Sequence, residues 1–442
     1  MNNVFLKSSV ALLTGLVFMV FGLATGYCQS YDYSLFDVSA ESDVVANTAP
    51  GFQPFSTAVD GTWENISTEP HLGRGPNVVV TYLDQIWSIT GYNAENAEVR
   101  YWSPVTDTWF SIRDSEPPFG WNYARSGAVY GTKAFIYGDG GGGFTGLWSF
   151  NMATYEWVNE SPAGSGPSFG GIANPAWVAD PDTGYLYLTG GATSLGGDSL
   201  ATVYVYNPAT NTWLAPLPDF TTARNVHAAF IFTNPGSGQK MLAIAGGTGV
   251  GLNFLSSTQC YNFSAGVWNA ENADIPALPI ARAAMGYTQA VNHAGGQELW
   301  LVGGADSGIN ALADSLFYDV ESGTWVDGGI YSATAVYLLS AVTLNNEVYK
   351  LGGVDDNEVI TGEASRRIRP DLPCVNHGDV NLDGQLTAAD AQLAFFIVLG
   401  TYSPSYEEEC AADCNGDGSV TAADAQAIFL TVLGSGTCVD PL

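Results

Sequence analysis

Two short stretches, 'YLTGG' at residues 187–191 and 'VYNPATNTW' at 205–213, decide how most of this chain folds. The first is an apolar strand that ends in two glycines. The second is an aromatic strand, a turn of Asn and Pro, and a further strand that opens near tryptophan. Such tryptophans recur at intervals of 46 to 57 residues, at Trp63, Trp109, Trp157, Trp213, Trp268 and Trp325. Four short strands in each period of about 50 residues are typical of a β-propeller blade.

Paired glycines end the apolar strand in most of the repeats. They occur in 'YLTGG', 'LAIAGG', 'LVGG' and 'YKLGG', whereas the first two repeats carry only the degenerate versions 'WSITGY' and 'FIYGDGG'. Glycine permits positive φ and a close approach of neighbouring backbones, which strands crowded around a central channel require. The Trp and Tyr rings supply large faces that neighbouring blades bury between them.

The two ends of the array complement each other. Trp63 has no glycine pair before it, and the pair Gly352–Gly353 has no aromatic strand and tryptophan after it. If 'GTWENIS' at 61–67 completes the last blade, six glycine pairs and six tryptophans make six full blades. Closure of this kind removes the free sheet edges of the first and last blades.

Residues 59–369 resemble the kelch repeat family at the double glycine, the spaced aromatic residue and the tryptophan. The resemblance implies an all-β, six-bladed kelch-type propeller. Arg125, Arg224 and Arg282 recur in similar blade-opening turns, and we expect carbonyls between blades to satisfy them. His227 lies in one such turn, where we expect a structural role. Cys260 is expected to be a small buried hydrophobe.

The N-terminus and the composition indicate an exported protein. Lys7, an apolar run and the polar residues after it predict a signal peptide over residues 1–26, followed by a lead segment over 27–58. A retained membrane anchor is the alternative, and a lipoprotein built on Cys28 is a weaker one. The net charge of −31 argues against nucleic acid and anionic membranes as partners. We expect a secreted chain, free or attached to a cell surface, with no membrane insertion after signal cleavage.

Two acidic loops repeat in the C-terminal segment 370–442: 'DVNLDGQLTAAD' at 379–390 and 'DCNGDGSVTAAD' at 413–424. Each has Asp, Asn and Asp at positions 1, 3 and 5, Gly at 6 and Asp at 12. This is the pattern of a calcium loop, which adds the carbonyl of position 7 and a water-mediated contact from position 9. The predicted ligands of two Ca²⁺ ions are Asp379, Asn381, Asp383, Gln385, Thr387 and Asp390, and then Asp413, Asn415, Asp417, Ser419, Thr421 and Asp424.

The charge balance of this segment supports the calcium interpretation. It contains no Lys or Arg, so only a bound cation offsets the repulsion within each loop. Two carboxylates about 6 Å apart repel by roughly 1–2 kcal/mol at an effective dielectric constant of about 40. A solvated acidic linker is the alternative, and two copies in the same register, each leading into a helix, argue against it.

Four of the six cysteines lie in or near the same segment: Cys374, Cys410, Cys414 and Cys438. In an exported chain such crowding favours disulfides over thiolate metal ligands. Four cysteines allow three pairings, and the sequence does not choose among them.

Each loop runs into an apolar helix, 'AADAQLAFFIVLG' or 'AADAQAIFLTVLG'. A duplicated calcium loop and helix, without an incoming helix, resembles the type I dockerin family over residues 374–438. The resemblance implies calcium-dependent binding to a cohesin-type domain on a scaffold or cell surface, in two orientations related by a half turn. It also implies the partner-binding residues Ala388, Ala389, Phe395 and Phe396 in the first copy, and Ala422, Ala423, Phe429 and Leu430 in the second. Both sets depart from the hydroxyl and basic residues of the best-known dockerin pattern.

Two functions fit these parts. In the first, the propeller binds a protein or a glycan and the tail attaches it to a surface. In the second, the propeller is a glycoside hydrolase, lyase or other polysaccharide-active enzyme that the same tail delivers, with Asp and Glu in blade loops. No catalytic constellation stands out, since the four histidines are scattered. We expect Trp121 and Phe144 to be exposed for ligand stacking, which fits both functions, and we favour binding.

Overall fold

The computed structural model describes residues 63–68, 77–91, 98–119, 126–138, 144–168, 171–194, 196–292, 295–332, 334–367, 377–399, 401–402, 404, 406–416 and 420–439. The predicted signal peptide and lead segment therefore lie outside the described residues. The chain divides into two compact units, a β-propeller and a small helical C-terminal unit.

Six sheets form the propeller, as the sequence predicts. Their strands, listed from the innermost outward, have these bounds. The first two blades are β2 (Asn77–Tyr82), β3 (Gln85–Gly91), β4 (Arg100–Ser103) and β5 (Thr108–Ser111), then β6 (Ala128–Tyr130), β7 (Lys133–Tyr137), β8 (Leu147–Asn151) and β9 (Glu156–Asn159). The third is β11 (Ala176–Ala179), β12 (Leu186–Thr189), β13 (Val203–Asn207), β14 (Thr212–Trp213) and β10 (Ala163–Gly164). The fourth is β15 (Ala228–Asn234), β16 (Gln239–Ala245), β17 (Thr258–Asn262) and β18 (Val267–Trp268). The last two are β19 (Gly286–Val291), β20 (Gln297–Val302), β21 (Asp314–Asp319) and β22 (Thr324–Ile330), then β23 (Ser340–Leu344), β24 (Glu347–Leu351), β25 (Ala364–Arg367) and β1 (Trp63–Ile66).

Side-chain alternation in the inner strands builds a separate core on each face of a blade. In β16, Met241 and Ala243 belong to a cluster with Leu299 of the fifth blade. Leu242 and Ile244 of the same strand belong to a cluster with residues of the third blade. Because both faces of a blade are covered, its inner strands carry continuous apolar runs rather than an alternating pattern.

The N-terminal strand closes the ring, which confirms the predicted closure. β1 pairs antiparallel with β25, with Trp63 opposite Arg367 and Ile66 opposite Ala364. The guanidinium of Arg366 forms an ion pair with Glu64 across this pairing. The indole Nε1 of Trp63 donates to the Gly328 carbonyl of the fifth blade at 3.1 Å. The last blade therefore contains strands from both ends of the propeller sequence.

The glycine pairs adopt the left-handed conformation that the sequence predicts. Both members of the pairs at 190–191, 246–247, 303–304 and 352–353 have φ between 52° and 119°. The N–H of Gly247 donates to the Arg282 carbonyl of the next blade at 2.9 Å. A Cβ atom on Gly246 would lie 2.6 Å from the same Arg282 carbonyl oxygen. Only glycine permits this approach, which joins one blade to the next.

The recurring tryptophans anchor the outer strands to the loops between blades. Four of them donate Nε1 to a carbonyl 42 to 50 residues earlier: Trp109 to Ser67, Trp157 to Ser115, Trp268 to Pro218 and Trp325 to Pro276. Buried indole groups need such acceptors. The tryptophan of each of these repeats thus fixes its own outer strand to the preceding linker.

The polar residues of the blade-opening turns are structural. Arg224 is buried, and its guanidinium donates to the carbonyls of Gly246 and Ser257. These acceptors belong to its own blade, so the expectation of contacts between blades is wrong in that detail. Burial lowers the pKa of the Arg224 guanidinium to about 10, and Glu271 opposes the shift. His227 is buried with Nε2 2.9 Å from the Thr189 hydroxyl. Arg125 lies outside the described residues.

Two further observations concern the sheets. Cys260 is buried with a free thiol, as expected, and burial raises its pKa.

The third blade gains a fifth strand, β10, which pairs parallel with β14. The predicted repeat of four strands in each blade does not include this fifth strand. It forms because Gly164 lies directly against Trp213, where a Cβ would be 2.0 Å from the Trp213 carbonyl oxygen.

The C-terminal unit contains helices α1 (Ala388–Val398), α2 (Tyr406–Ala412) and α3 (Ala422–Val432). α1 and α3 are the predicted helices. The short α2 was not expected, and it runs directly into the second acidic loop, where Asp413 N donates to the Glu409 carbonyl at 3.0 Å. The expectation of no incoming helix is therefore wrong for the second copy.

Small residues and a disulfide make the core of this unit. Ala391, Ala394 and Ala425 are buried between the helices with Ile428 and Val380. Cys414 forms a disulfide with Cys438, which excludes two of the three pairings that the sequence allows. Cys410 is also disulfide-bonded, and Cys374 lies outside the described residues.

Deletion of residues 59–67 should abolish the single cooperative melting transition of the propeller, because the last blade loses its outer strand. Calorimetry of the full chain measures this. The matched control is Glu64→Gln, which removes only a partly exposed ion pair and should cost less than about 1 kcal/mol. An unchanged transition in the deletion variant would contradict closure by β1.

Gly246→Ala should destabilise the propeller by at least about 2 kcal/mol, because a Cβ there would lie 2.6 Å from the Arg282 carbonyl oxygen of the next blade and adds this clash to left-handed strain. Gly238 has φ of 65°, and no atom lies within 4 Å of where its Cβ would stand, so it is the matched control. Gly238→Ala should cost only about 1 kcal/mol, from backbone strain alone. Equal losses in urea denaturation would show that close approach between blades is unimportant.

Candidate calcium and docking site

The two acidic loops begin their helices in the same way. Thr387 and Thr421 are the N-caps of α1 and α3, and each takes part in a capping box with the Asp three residues later. Asp390 Oδ2 accepts from the Thr387 amide at 2.8 Å and from its hydroxyl at 3.0 Å. Asp424 repeats these contacts with Thr421 at 2.9 and 2.8 Å. The last carboxylate of each loop is thereby fixed at the start of a helix.

The same carboxylates also hold the front of each loop. Asp390 Oδ1 accepts from the Asn381 amide at 3.1 Å, and Asp424 Oδ1 accepts from the Asn415 amide at 3.2 Å. Position 12 therefore reaches position 3 across the loop in both copies. This contact curls the chain into a ring with its first and last acidic residues on the inside.

Further oxygen atoms of the first loop accept from its own backbone. Asp379 accepts from the amides of Asp383 at 3.2 Å and Gly384 at 2.8 Å. Asp383 accepts from the Gln385 amide at 2.9 Å. Gly384 has φ of 80°, as the sharp turn at position 6 requires. In the second loop, Asp417 and Ser419 lie outside the described residues.

Burial of carboxylates in a segment without Lys or Arg is the main electrostatic feature of this site. Asp379, Asp390, Asp413 and Asp424 are each at most 5% exposed. Residues 370–442 contain eleven Asp and Glu and no Lys or Arg. Taking a carboxylate out of water costs several kcal/mol when no opposite charge compensates it. The loops are therefore suited to a cation.

The donor set fits calcium. Its members are carboxylate, amide and hydroxyl oxygens, which hard cations prefer, and no sulfur or imidazole is required. Among the described residues, no three Asp, Glu, His or Cys side chains lie close enough together to share a metal ion. The structure therefore does not gather Asp379, Asp383 and Asp390 of the first loop into one such group.

The residues that the dockerin resemblance assigns to the partner are exposed in both copies. Phe395 is 45% exposed and Phe396 41%, while Phe429 is 45% and Leu430 38% exposed. All four alanines of the two sets are exposed as well. Two exposed residues were not predicted, Leu399 and Leu433, which are 60% and 61% exposed at the ends of α1 and α3. The repeated 'VLG' at the end of both helical runs was the feature of the sequence that could have predicted them.

We name these two surfaces the docking faces. The first docking face consists of Ala388, Ala389, Phe395, Phe396 and Leu399. The second docking face consists of Ala422, Ala423, Phe429, Leu430 and Leu433. Exposed phenylalanine and leucine side chains repeated on two helices of so small a unit indicate surfaces that a partner covers.

Trp121 and Phe144 were expected to be exposed on the propeller for ligand stacking, and this expectation fails for Phe144. Phe144 is fully buried, and its ring lies 3.9 Å from that of Phe119, centroid to centroid. That expectation is wrong because the Phe144 ring packs in an apolar cluster that contains residues of the first two blades. Trp121 lies outside the described residues. The aromatic side chains that are exposed in the described propeller, Phe110, Tyr130 and Tyr155, were missed.

In the described part of the propeller, the central channel is lined by uncharged residues. Its cavity, of about 340 Å³, is lined by residues of the six innermost strands, none of them Asp, Glu, Lys, Arg or His. Tyr287 extends from the fifth blade to the third, where its hydroxyl contacts both the N and the O of Trp177 at 3.0 Å. The lining therefore supplies no acid–base pair of the kind that glycoside hydrolysis needs.

Comparison with known protein families agrees with both halves of this description. Residues 377–429 match the dockerin type I domain, and residues 182–214 match the kelch motif. The chain thus carries a kelch-type six-bladed propeller and a type I dockerin region. No curated protein matches the chain.

The family matches establish the general behaviour of each part. Type I dockerin domains bind calcium and dock to cohesins, and kelch propellers bind proteins. Proteins that carry a dockerin are typically extracellular or attached to a cell surface. In the part of the chain that the structure describes, no helix is long and apolar enough to cross a membrane.

Asp379→Asn combined with Asp413→Asn should abolish the calcium-induced rise in the melting temperature of the C-terminal unit. In chelator, the double variant should be at least as stable as the unchanged protein, because two buried negative charges are gone. Wild-type stabilisation at a calcium concentration 100 times Kd should be about 2.7 kcal/mol per site.

Calorimetric titration and melting of the full chain, with and without chelator, test this. Glu409→Gln removes an exposed carboxylate from the same unit and is the control that should leave calcium binding unchanged. Retained calcium stabilisation in the double variant would rule out Asp379 and Asp413 as ligands.

Proposed function

We propose that this chain is a secreted binding protein. Its propeller recognises a protein or glycan, and its calcium-loaded tail docks to a cohesin-type domain on a scaffold or cell surface. The observation that carries this proposal is the repetition, in two loops, of buried carboxylates within a segment that contains no Lys or Arg. A propeller with an uncharged channel and a tail with exposed apolar faces both fit a binding role better than a catalytic one.

Two calcium ions are proposed, one for each loop. The ligands are the twelve residues at positions 1, 3, 5, 7, 9 and 12 of the two loops. Each ion offsets the carboxylates at the start and end of its loop. The last of these carboxylates, Asp390 or Asp424, lies in the first turn of α1 or α3. Calcium therefore stabilises the two helices that carry the docking faces, and this couples metal binding to partner binding.

The docking faces predict a partner with an apolar surface. Phe395, Phe396, Phe429 and Leu430 stand where the best-known dockerin pattern often has basic residues. The tail also keeps a net negative charge after two calcium ions bind, because it has eleven acidic and no basic side chains. We therefore infer a cohesin-type face whose centre is apolar and whose rim is neutral or basic.

The two docking faces should substitute for each other. Phe395→Ala with Phe396→Ala should weaken cohesin binding less than about tenfold, because the partner turns by half a turn onto the second docking face. Phe429→Ala with Leu430→Ala should behave in the same way. The quadruple variant should lose more than about 100-fold, since no apolar centre remains.

Surface plasmon resonance against an immobilised type I cohesin domain, in calcium and in chelator, measures these affinities. Calcium binding by the quadruple variant should be unchanged, which separates loss of contact from loss of folding. Full binding in chelator would contradict the proposal, and so would a quadruple variant that binds as tightly as the unchanged chain.

A further inference from the structure

A row of aromatic side chains crosses the first blade. Trp87 in β3 is the register partner of Tyr101 in β4, and Tyr101 is the partner of Phe110 in β5. Ring centroids are 5.1 Å apart in each pair, and the Tyr101 and Phe110 rings are inclined by only 20°. The row therefore runs from the buried Trp87 to Phe110 at the outer edge, which is 39% exposed.

Tyr155 of the second blade extends this row. Its ring lies 6.4 Å from Trp87 at an angle of 30°, and the residue is 47% exposed. We call Trp87, Tyr101, Phe110 and Tyr155 the aromatic strip. One end of the strip is Phe110 on the outer strand, and the other is Tyr155 in the hairpin between β8 and β9.

The backbone of Tyr155 is strained. Its φ is 63°, in the left-handed region that bulky residues avoid. The matching turn position in four other blades holds Asp107, Asn211, Gly266 or Gly323, with φ between 45° and 71°. These residue types accept that conformation readily, whereas tyrosine does not. Strain of this kind persists where other interactions fix the residue, and the contact of the Tyr155 ring with Trp87 is one such interaction.

The exposed rings are confined to one part of the propeller. Phe110, Tyr130 and Tyr155 all belong to the first two blades, whereas the large hydrophobic residues exposed on the described parts of the other blades are Val and Ile. The fifth blade has a comparable pair, Trp300 and Phe317, but the guanidinium of Arg367 covers it at 4.6 Å from the Trp300 ring. Among the described residues, no Lys or Arg lies over the rings of Phe110 and Tyr155, which are 39% and 47% exposed.

We propose that the aromatic strip binds a neutral glycan, whose sugar rings stack on Phe110 and Tyr155. This rests on the proposed binding function of the propeller and assigns its ligand and its site. Half-exposed rings whose other side lies on a second aromatic ring present a flat, rigid face, which suits the flat C–H face of a sugar. Thr154 and Glu156 flank Tyr155 in the sequence and supply groups for sugar hydroxyls.

The charge of the chain selects a neutral ligand. A net charge of −31 repels acidic polysaccharides, nucleic acid and anionic membranes. A protein partner would be expected to cover a continuous apolar patch with a packed centre, in which aromatic residues are common. The strip instead ends in two separate rings beside polar turn residues, so a chain of sugar units matches it better.

Tyr155→Gly and Phe110→Val are the decisive variants. Tyr155→Gly introduces glycine, the residue that the fourth and fifth blades have at this turn position as Gly266 and Gly323. It therefore removes the ring and relieves the backbone strain at the same time. Phe110→Val introduces valine, the residue that follows the recurring tryptophan in two other blades as Val158 and Val326. Each should weaken glycan binding at least tenfold, and Tyr155→Trp, which keeps a ring, should bind within about threefold of the unchanged chain. Asn211→Gly is the matched control at the corresponding turn of the third blade and should bind normally.

Affinity electrophoresis of the full chain through gels that contain xyloglucan, galactomannan or mixed-linkage β-glucan measures binding, with polygalacturonate as the acidic counterpart. Retardation by at least one neutral polymer that Tyr155→Gly abolishes supports the proposal. Absence of retardation by all of them overturns it, as does retardation that is unaffected by both variants or stronger with polygalacturonate. A strip that proves to be needed only for protein binding also overturns it. The melting temperature of each variant shows that it is folded. Calcium-dependent cohesin binding, measured on the same samples, shows whether the proposed docking function is intact when glycan binding is absent.

Discussion

Buried carboxylates in a segment without a single lysine or arginine dominate the physics of the C-terminal unit. Asp390 and Asp424 are fully buried, and each spans its loop to reach the amide of position 3. Protein dipoles satisfy their hydrogen bonds but leave their charge uncompensated. The core beneath them consists mainly of alanine side chains with one disulfide, so little apolar burial is available to offset this cost. A divalent cation supplies both the missing charge and a link between the loop and its helix.

The propeller is stabilised in a different way. Each blade buries apolar residues on both faces, and the glycine pairs bring neighbouring backbones close enough for hydrogen bonds from blade to blade. Pairing of β1 with β25 then joins the two ends of the array and leaves no blade incomplete. None of these interactions needs a metal ion. We therefore propose that recognition by the propeller is independent of calcium, whereas attachment through the C-terminal unit depends on it.

Local and repeated features of the sequence were sufficient to predict much of this protein. The six blades, the closure by β1, the left-handed glycine pairs and the two helices after the loops follow from spacing and turn chemistry. The outcomes that were wrong or missed depend on contacts distant in the sequence. Burial of Phe144 requires the Phe119 ring from another loop, and exposure of Phe110 requires that no side chain of the next blade covers it. The pairing of Cys414 with Cys438 and the short α2 likewise follow from how the C-terminal unit folds in space.

Hydrogen exchange of the full chain, followed by mass spectrometry with and without calcium, tests the central claim most directly. If calcium compensates the buried carboxylates, amides of residues 379–398 and 413–432 gain protection when the metal is added, while propeller amides exchange at an unchanged rate. Equal protection of these two segments in calcium and in chelator would contradict the account, because the loops would then be stable without any compensating charge.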